Sequence, residues 1–539
     1  MKRLYNKLGA AIALTSTIAL TGCLEEVLPT SGVTEDQLAG KDVAYSSIFW
    51  GMPSFLNCFN VTGGQYHYDW GYGSIMHIRD IETGDYATAE SNYDHYTSWA
   101  CNRYNDERYA TTGFTWAFMN GWLQTCNKAV GTFDPEDENP LYVYYYGAAR
   151  AFRAACYLDM ARMYEFLPND KVSGVNQYGN DVTGLTVPIV TEETTEEEAI
   201  DNPRATHEEM FRFIMDDLDA AETYCASIRT APSKTVPSMA VVYGLKARAY
   251  MWDENYPKAA EYAKKAIQAG TALGSTPLTK DEWLNIATGF NTLSTPSWLW
   301  GEAIVKENDQ VQTGIVNWTS WASNEANYGY AAAGPFQMID KSLYDRINDE
   351  DWRKLSFVAP EDGELEGQEP FIEEDNRGYL PAYASLKFRP GFANTNDFNV
   401  GSAVAIPLMR IEEMWFVYAE AVAHSTPLQG KQILEEFMKE YRFDTYSCEA
   451  TSQEDIIDEI VLQKRIELWG EGQTFFDIKR LNMSVTRRYE GTNFMSAARF
   501  NTNGRPAWMN MIIVRSEGAN NKAVLEWNNP RTQGVYATN

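Results

Sequence analysis

The amino-acid sequence predicts a mainly α-helical protein that is built on pairs of helices and carries long aromatic-rich loops and a few short strands. Apolar residues recur at helical spacing over much of the chain beyond residue 45. Residues 236–269 place small and aromatic residues at a spacing that lets two helices pack closely. Residues 61–108 and 270–400 mostly lack this period and are rich in Gly, Asn, Tyr and Trp, which is typical of long ordered loops.

Residues 451–482 predict two helices joined by a tight corner. Thr451 and Glu454 stand at capping-box spacing, and the apolar face that follows them is wide enough to be buried on more than one side. Gly470 is placed where a left-handed residue ends a helix, and Gly472 is placed to loosen the corner. A second, shorter helix with two basic residues at its end is expected after that corner.

Charged residues interleave with this apolar surface. They are Lys464, Arg465, Glu467, Glu471, Asp477 and Arg480. Charges bracketed by bulky apolar residues are partly removed from water and must pair with one another. The segment therefore predicts a structural ion-pair network in preference to a catalytic acid/base dyad.

Residues 236–269 give the one recognisable repeat. Ala247, Tyr250, Ala259 and Ala266 are separated by 3, 9 and 7 residues, which is the spacing of tetratricopeptide-like helix pairs. Further helix pairs are predicted at 141–166 with 206–225, at 407–443 and at 452–482. The repeat is therefore expected to form the scaffold of the protein.

Three shorter signals complete the fold prediction. Thr206 precedes a helical run and is expected to be its N-cap. Residues Trp298–Ile304 predict a short strand. The acidic run at 191–198 predicts a solvated loop and not a calcium site, because no EF-hand spacing accompanies it.

The N-terminus predicts a lipoprotein export signal. Basic residues precede an apolar run that is too short to span a membrane, and Leu20-Thr21-Gly22-Cys23 resembles a lipobox whose Cys thiol takes a lipid. A plain secretory signal with a chance Cys is the alternative. The predicted division is a signal peptide at 1–22, a lipidated Cys23 with a tether at 23–44, and a body of two regions, 45–230 and 231–539, that form one compact unit.

Composition excludes one class of partner and favours another. With 45 basic and 74 acidic residues the formal net charge is −29, so the chain is not expected to bind nucleic acid. Its 16 Trp, 32 Tyr and 24 Phe provide more aromatic surface than a core alone usually needs. This surplus favours a ligand-binding protein.

Common catalytic motifs are missing from the sequence. The 5 His do not form an H-E-x-x-H motif, and no P-loop, Rossmann glycine fingerprint or G-x-S-x-G elbow occurs. No catalytic residue, metal ligand or cofactor is therefore predicted. A glycoside hydrolase stays open, because it needs only two suitably separated carboxylates.

The cysteines beyond Cys23 show neither a C-x-x-C pair nor metal-ligand spacing. Most are expected to be small buried apolar residues. Export permits disulfides, so a Cys58–Cys101 pair stays open at this point.

The segment at 464–480, KRIELWGEGQTFFDIKR, resembles the C-terminal signature of the SusD/RagB family, ERxxELxxEGxRxxDLxR, with departures at Lys464 and at Gln473-Thr474. Other segments resemble the family in the same order along the chain. These are GAARAFRAACYLDMARMYE at 147–165, PRATHEEMFRFIMDDLDAAE at 203–222, the repeat at 236–269, and the helix at 406–421. The resemblance implies a SusD-like fold, a right-handed superhelical scaffold of tetratricopeptide-like helix pairs.

The resemblance also implies a function. It implies a glycan-binding lipoprotein of Bacteroidetes, anchored by its lipid in the outer membrane and facing outward. Leu24-Glu25-Glu26 is similar to the acidic signal that directs such lipoproteins to the outer face. The implied partner is a SusC-like TonB-dependent barrel. A RagB-like protein that binds peptide or another nutrient is the runner-up, followed by a surface glycosidase and a purely structural repeat lipoprotein.

The glycan site is predicted in the two aromatic segments and not on the repeat helices. Exposed rings stack on the C–H faces of sugars, while Asp, Asn and Arg bind the hydroxyl groups. The predicted residues are Asp69, Trp70, Tyr72, Arg79, Trp99 and Asn102 in the first segment, and Trp318, Trp321, Asn324 and Tyr328 in the second. The alternative is that these Trp residues pack beneath their own loops.

Overall fold

Helices supply most of the regular structure in the computed structural model, which describes residues 41–93, 95–101 and 106–536. The mainly helical prediction is confirmed. The longer helices are α1 (Lys41–Phe55), α2 (Tyr72–Ile81), α3 (Ala110–Thr132), α4 (Pro140–Tyr164), α5 (His207–Cys225), α6 (Met239–Trp252), α7 (Tyr256–Ala272), α8 (Ile411–Ala423), α9 (Pro427–Tyr441), α10 (Gln453–Glu467) and α11 (Thr474–Arg480). The predicted signal peptide, Cys23 and most of the tether lie outside the described residues.

Shorter helical turns occur between these helices. They are Thr97–Ala100, Glu196–Ala199, Lys280–Trp283, Asp309–Gln312, Trp318–Ala322, Lys341–Tyr344, Phe398–Gly401, Arg515–Asn520 and Lys522–Leu525, with 3-10 turns at Ala331–Ala333, Trp352–Ser356, Glu374–Gly378, Gly391–Ala393, Ser496–Ala498 and Ala507–Met509. In the described part of the chain, no helix combines the length and the apolar character that crossing a membrane requires.

The strands are few and short. They are β1 (Tyr86–Thr88), β2 (Leu185–Pro188), β3 (Arg204–Thr206), β4 (Trp298–Ala303), β5 (Gln337–Ile339) and β6 (Ala405–Arg410). They form three antiparallel pairs, β1 with β5, β2 with β3, and β4 with β6. β4 coincides with the strand that the sequence predicts. The pairing of Tyr86 with Ile339 joins the first aromatic segment to the second across the β1–β5 ladder.

The helices pack as neighbours along the chain, α4 with α5, α6 with α7, and α8 with α9. These are three of the four pairs that the sequence predicts, whereas helix α10 of the fourth pair packs on α8. Small buried residues, Ala259, Ala263 and Ala266, line the packed face of α7 and let its partners approach closely. Thr206 caps α5 as predicted, since its hydroxyl oxygen accepts the backbone N–H of Glu209 at 3.3 Å. Residues from Phe49 onward form one compact unit.

The corner between α10 and α11 has the predicted form with one correction. Gly470 and Gly472 have φ of 76° and 69°, in the left-handed region that favours glycine. The helix cap is Ser452 and not Thr451, because the Ser452 hydroxyl accepts the backbone N–H of Asp455 at 3.1 Å. The capping motif therefore lies one residue later than its sequence spacing indicated.

The charges of this segment form a buried ion-pair network. Glu467 contacts Arg353 at 2.9 Å, Arg410 at 3.1 Å and Arg442 at 2.7 Å. Glu471 accepts hydrogen bonds from Arg410 and Lys387, Asp477 pairs with Lys464 and Arg480, and Arg465 pairs with Asp85. Each of these charged groups is paired with an oppositely charged group, so the interpretation of the segment as a structural ion-pair network holds.

No disulfide joins two cysteines of the described residues, and all of these cysteines except Cys58 are buried. The Cys58–Cys101 disulfide that the sequence left open is therefore not formed. Cys101 instead packs in an apolar cluster with Met338 and Phe494. This agrees with the expectation that most cysteines are small buried apolar residues.

Candidate functional site

The two aromatic segments are brought together by the fold. Besides the β1–β5 ladder, the rings of Trp70 and Trp318 meet edge to face with centroids 6.3 Å apart. The indole N–H of Trp321 donates a hydrogen bond to the backbone oxygen of His67 at 3.3 Å. Segments that lie more than 200 residues apart in the sequence therefore share one region of the molecule.

The predicted site residues are buried. Asp69, Trp70, Tyr72, Arg79, Trp99, Trp318, Trp321, Asn324 and Tyr328 are each no more than 9% exposed. The expectation that these rings are exposed is wrong, because each large ring is covered by neighbouring loops. A ring in this position cannot stack on a sugar without displacing its neighbours. Asn102 lies outside the described residues, and a role for any of these residues in ligand binding stays a prediction.

Several of the buried polar residues hold the loops in place. The Asp69 carboxylate accepts the backbone N–H groups of Val61 and Thr62, both at 2.9 Å. The Asn324 side-chain amide donates to the backbone oxygens of Gln337 and Ser385, at 2.8 and 2.9 Å. Asp69 and Asn324 therefore fix the shape of these loops, although their own side chains are covered.

Arg79 and Tyr72 belong to the scaffold. Both lie on helix α2, which the sequence did not predict inside the first segment. The Arg79 guanidinium pairs with Asp159 of helix α4 at 2.7 Å, and Tyr72 also donates to that carboxylate. Burial raises the pKa of Asp159, but the guanidinium groups of Arg79 and Arg162 outweigh it and lower that pKa to about 2.

The large rings form a buried layer beneath the loops. Trp70 donates its indole N–H to the Tyr96 hydroxyl at 2.8 Å. Trp321 stacks on Tyr330 with ring centroids 4.0 Å apart and an interplanar angle of 17°. Trp99 meets Tyr68 edge to face at 5.0 Å. This layer supports the residues above it.

Above this layer the loops expose Tyr66, His67, Tyr93 and His95, which we call the aromatic surface. Tyr93 is 55% exposed and Tyr66 is 37% exposed. The imidazole rings of His67 and His95 stack at 3.7 Å, and the Tyr66 ring stacks on that of Tyr68 at 5.3 Å. Tyr330, from the second segment, meets both imidazoles edge on and forms a hydrogen bond with His67.

The aromatic surface carries no positive charge on its imidazoles at neutral pH. Burial lowers the pKa of His67, and burial together with the neighbouring His67 lowers the pKa of His95. Directly beneath, burial lowers the pKa of His77 to about 3. Neutral imidazoles offer flat faces and both hydrogen-bond donors and acceptors, so this surface suits an uncharged polyhydroxylated ligand.

The flank of the aromatic surface is formed by the next loops of the second segment. Tyr379 is 57% exposed and meets Phe336 edge to face at 5.5 Å. The backbone oxygen of Phe336 accepts the N–H of Ala89, next to β1, at 2.8 Å. No group of three His, Cys, Asp or Glu suited to a metal ion occurs among the residues the structure describes.

The structure brings the two predicted segments together, but the rings that it exposes there are not those that the sequence singled out. Tyr66 and Tyr93 follow Gly63-Gly64-Gln65 and Asn92, which are short polar stretches. Trp70 stands between Asp69 and Gly71, and Trp321 stands between Ser320 and Ala322, so the sequence neighbours of these buried rings are not distinctly apolar either. The polarity of the flanking residues therefore does not distinguish the exposed rings from the buried ones, because burial depends on tertiary neighbours such as Tyr330 against Trp321.

Comparisons with known proteins show similarity to one family. Residues 364–526 match the sequence model of the SusD family. No curated protein sequence matches the chain. Solved structures do match it: a SusD-like carbohydrate binding protein from Bacteroides vulgatus has 22% identity and a TM-score of 0.69, and covers 93% of this chain and 100% of its own.

Two further structures agree in fold. A SusD superfamily protein from Bacteroides thetaiotaomicron has 16% identity and a TM-score of 0.65, over 90% of this chain and 99% of its own. Surface glycan-binding protein A from Bacteroides fluxus has 16% identity and a TM-score of 0.63. The match covers 93% of this chain and 100% of that protein. At these identities the likeness concerns the fold. The match of residues 364–526 to the SusD family model, which includes the α10–α11 corner, agrees with the likeness in fold along most of the chain.

Proposed function

We propose that this protein is a cell-surface glycan-binding lipoprotein that captures oligosaccharide or polysaccharide and delivers it to a SusC-like TonB-dependent barrel. The observation that carries the proposal is the aromatic surface, where loops from one segment present Tyr66, His67, Tyr93 and His95 on a layer that both segments build. Similarity to a glycan-binding family supports the same conclusion.

The chemistry of the aromatic surface suits a sugar. A pyranose has an apolar C–H face and a rim of hydroxyl groups, so it binds best between exposed rings and neutral hydrogen-bonding groups. Tyr66 and Tyr93 supply rings with a phenol hydroxyl, and the neutral imidazoles of His67 and His95 supply donors and acceptors. A charged peptide finds fewer partners here, which is why a glycan is preferred over the RagB-like alternative.

Exposed rings of the aromatic surface should contribute directly to affinity. Tyr66→Ala and Tyr93→Ala are each expected to weaken glycan binding about tenfold or more, because a stacked ring contributes about 1 to 3 kcal/mol by analogy with base stacking. The glycan is first identified on an array with protein lacking residues 1–23, and affinity is then measured by calorimetry. Tyr178→Ala, which removes another half-exposed tyrosine, is the matched control.

Further measurements on the same samples distinguish glycan binding from peptide binding and from catalysis. All three variants should keep the melting temperature of the parent protein, because the substituted rings are partly exposed. Incubation of the parent protein with the array ligand should release no new reducing ends, as expected of a binding protein that is not an enzyme. Unchanged affinity in both surface variants would place the glycan elsewhere, and binding to a peptide array alone would favour the runner-up.

Lipidation of Cys23 accounts for the proposed attachment to the outer membrane. Cys23→Ala is expected to abolish incorporation of radiolabelled palmitate, because the lipobox thiol is the acceptor. Cys58→Ala, which leaves the lipobox intact, should incorporate label like the parent protein. Protease added to intact cells should degrade the parent protein if it faces outward, and resistance to protease would argue against that orientation.

The proposed transporter partner follows from the family. A transporter for oligosaccharides must admit a ligand and then enclose it, and a helical body tethered at its N-terminus is suited to hinge over the mouth of a barrel. Delivery then requires that the aromatic surface be accessible when the body is open.

A further inference from the structure

Five exposed apolar side chains lie together on a part of the surface remote in sequence from the aromatic surface. They are Val175, Tyr178, Ile200, Leu525 and Trp527, which are between 41% and 52% exposed. We call them the C-terminal patch. Single exposed apolar residues are normal on protein surfaces, but a contiguous group that includes Tyr and Trp is typical of an interaction site.

Hydrogen bonds from Asn176 establish that one edge of the C-terminal patch is contiguous. Asn176 stands between Val175 and Tyr178 and is itself 7% exposed. Its side-chain amide donates to the backbone oxygen of Glu526 at 2.8 Å and to that of Asn528 at 3.1 Å. These carbonyl groups flank Trp527, so the loop that carries Val175 and Tyr178 is held against the segment that carries Trp527.

A second set of hydrogen bonds joins Ile200 to the same segment. The backbone N–H of Lys522 donates to the backbone oxygen of Ile200 at 2.7 Å. Asn202 and Asn521 exchange two hydrogen bonds, at 3.1 and 2.6 Å. The buried Arg204 guanidinium donates to the backbone oxygen of Trp527 at 2.8 Å.

The backbone beneath the C-terminal patch is therefore fixed by polar side chains while the apolar side chains above it face water. Exposure of such side chains is unfavourable by about 25 cal/mol for each Å². A rigid backbone also means that little conformational entropy is lost on binding, so the patch is preorganised for a partner.

An acidic groove adjoins the C-terminal patch. Its lining includes Glu193, Glu197, Glu198, Asp201 and Asn202. Asp201 follows Ile200 directly, and residues 189–203 contain no Lys or Arg, so the exposed Lys522 beside Ile200 is the basic residue that the hydrogen bonds place at this edge. The two features together have the anatomy of a protein interface, with an apolar centre and a charged rim.

The negative charge of the groove determines which kind of partner can bind there. A second copy of this chain, with a net charge of −29, would bring like charges together at the rim. An anionic lipid surface would be repelled in the same way. We infer that the C-terminal patch and the acidic groove dock a protein that presents Lys or Arg beside apolar side chains. This inference does not depend on the glycan assignment.

Photo-crosslinking in the cells that make the full-length protein tests the inference. Tyr178→p-benzoylphenylalanine should give one discrete adduct with a second polypeptide, and mass spectrometry should find Lys or Arg within a few residues of the crosslinked position. Leu428→p-benzoylphenylalanine, at a side chain that is 70% exposed on α9, is the matched control and should give no such adduct.

Charge reversal provides the decisive comparison. A variant with Glu193→Lys, Glu197→Lys and Asp201→Lys should lose at least nine-tenths of the Tyr178 adduct, because the rim then repels a basic partner. Its glycan affinity and melting temperature should match those of the parent protein, which separates this site from the aromatic surface. An undiminished adduct, an adduct with lipid or with a second copy of the chain, or no adduct at all would overturn the inference.

Discussion

Glu467→Gln is expected to lower the free energy of unfolding by about 3 to 5 kcal/mol, because it removes one partner from a buried group of ions. The Glu467 side chain is fully buried and lies within 3.1 Å of the guanidinium nitrogens of Arg353, Arg410 and Arg442. The variant leaves these cations with less compensating charge in a region that water does not reach. Urea denaturation followed by circular dichroism measures the loss.

A surface carboxylate provides the control for this loss. Glu261 pairs with Lys258 and Lys265 on the exposed face of α7, at 2.9 Å in each case. Glu261→Gln is expected to change the free energy of unfolding by less than about 1 kcal/mol, because solvent screens exposed pairs. Equal losses in the two variants would mean that the network around Glu467 contributes no more than a surface pair.

The pH dependence of the loss in free energy of unfolding identifies the cause of that loss. Burial alone would raise the pKa of Glu467, but Arg442, Arg410 and Arg353 hold that pKa well below its ordinary value. The carboxylate therefore stabilises the fold above the pKa of the unfolded chain, about 4.3, and this stabilisation is lost as pH falls further. The difference between the parent protein and Glu467→Gln should narrow below about pH 4.

Much of the α10–α11 corner could be predicted from the sequence because its signals are local. The glycines, the apolar face and the interleaved charges all lie within 451–482, and helix spacing is enough to relate them. The cap was misplaced because Thr451 with Glu454 and Ser452 with Asp455 are both competent capping pairs in the sequence. Which pair forms depends on how the preceding segment enters the helix, and spacing alone does not specify that.

The aromatic site was predictable only at the level of segments. Loops rich in Gly, Asn and aromatic residues are recognisable, but whether a given ring faces solvent depends on tertiary neighbours such as Tyr330 over Trp321 and Phe388 against Trp318. Helix α2 was missed because it is short and because all of its residues are buried, so its polar residues do not mark a solvent-facing side. Arg79 looked like a ligand contact for that reason.

Trp321→Ala is expected to lower the free energy of unfolding by about 3 to 5 kcal/mol, as is usual when a buried Trp is truncated. Trp321 is 2% exposed, stacks on Tyr330 and meets Tyr96 edge to face at 4.8 Å. Its indole N–H also fixes the backbone of His67. Truncation should therefore weaken glycan binding indirectly, because it loosens the layer that supports the aromatic surface.

Thermal melting and calorimetry on the same samples distinguish this supporting role from ligand contact. Trp321→Phe keeps a ring against Tyr330 but loses the hydrogen bond to His67, so it should recover part of the stability and only part of the affinity. Tyr66→Ala should show the opposite pattern, with affinity lost and the melting temperature unchanged. If Trp321→Ala keeps the parent melting temperature while binding is lost, the ring contacts the ligand in the bound state, and the loops must open to expose it.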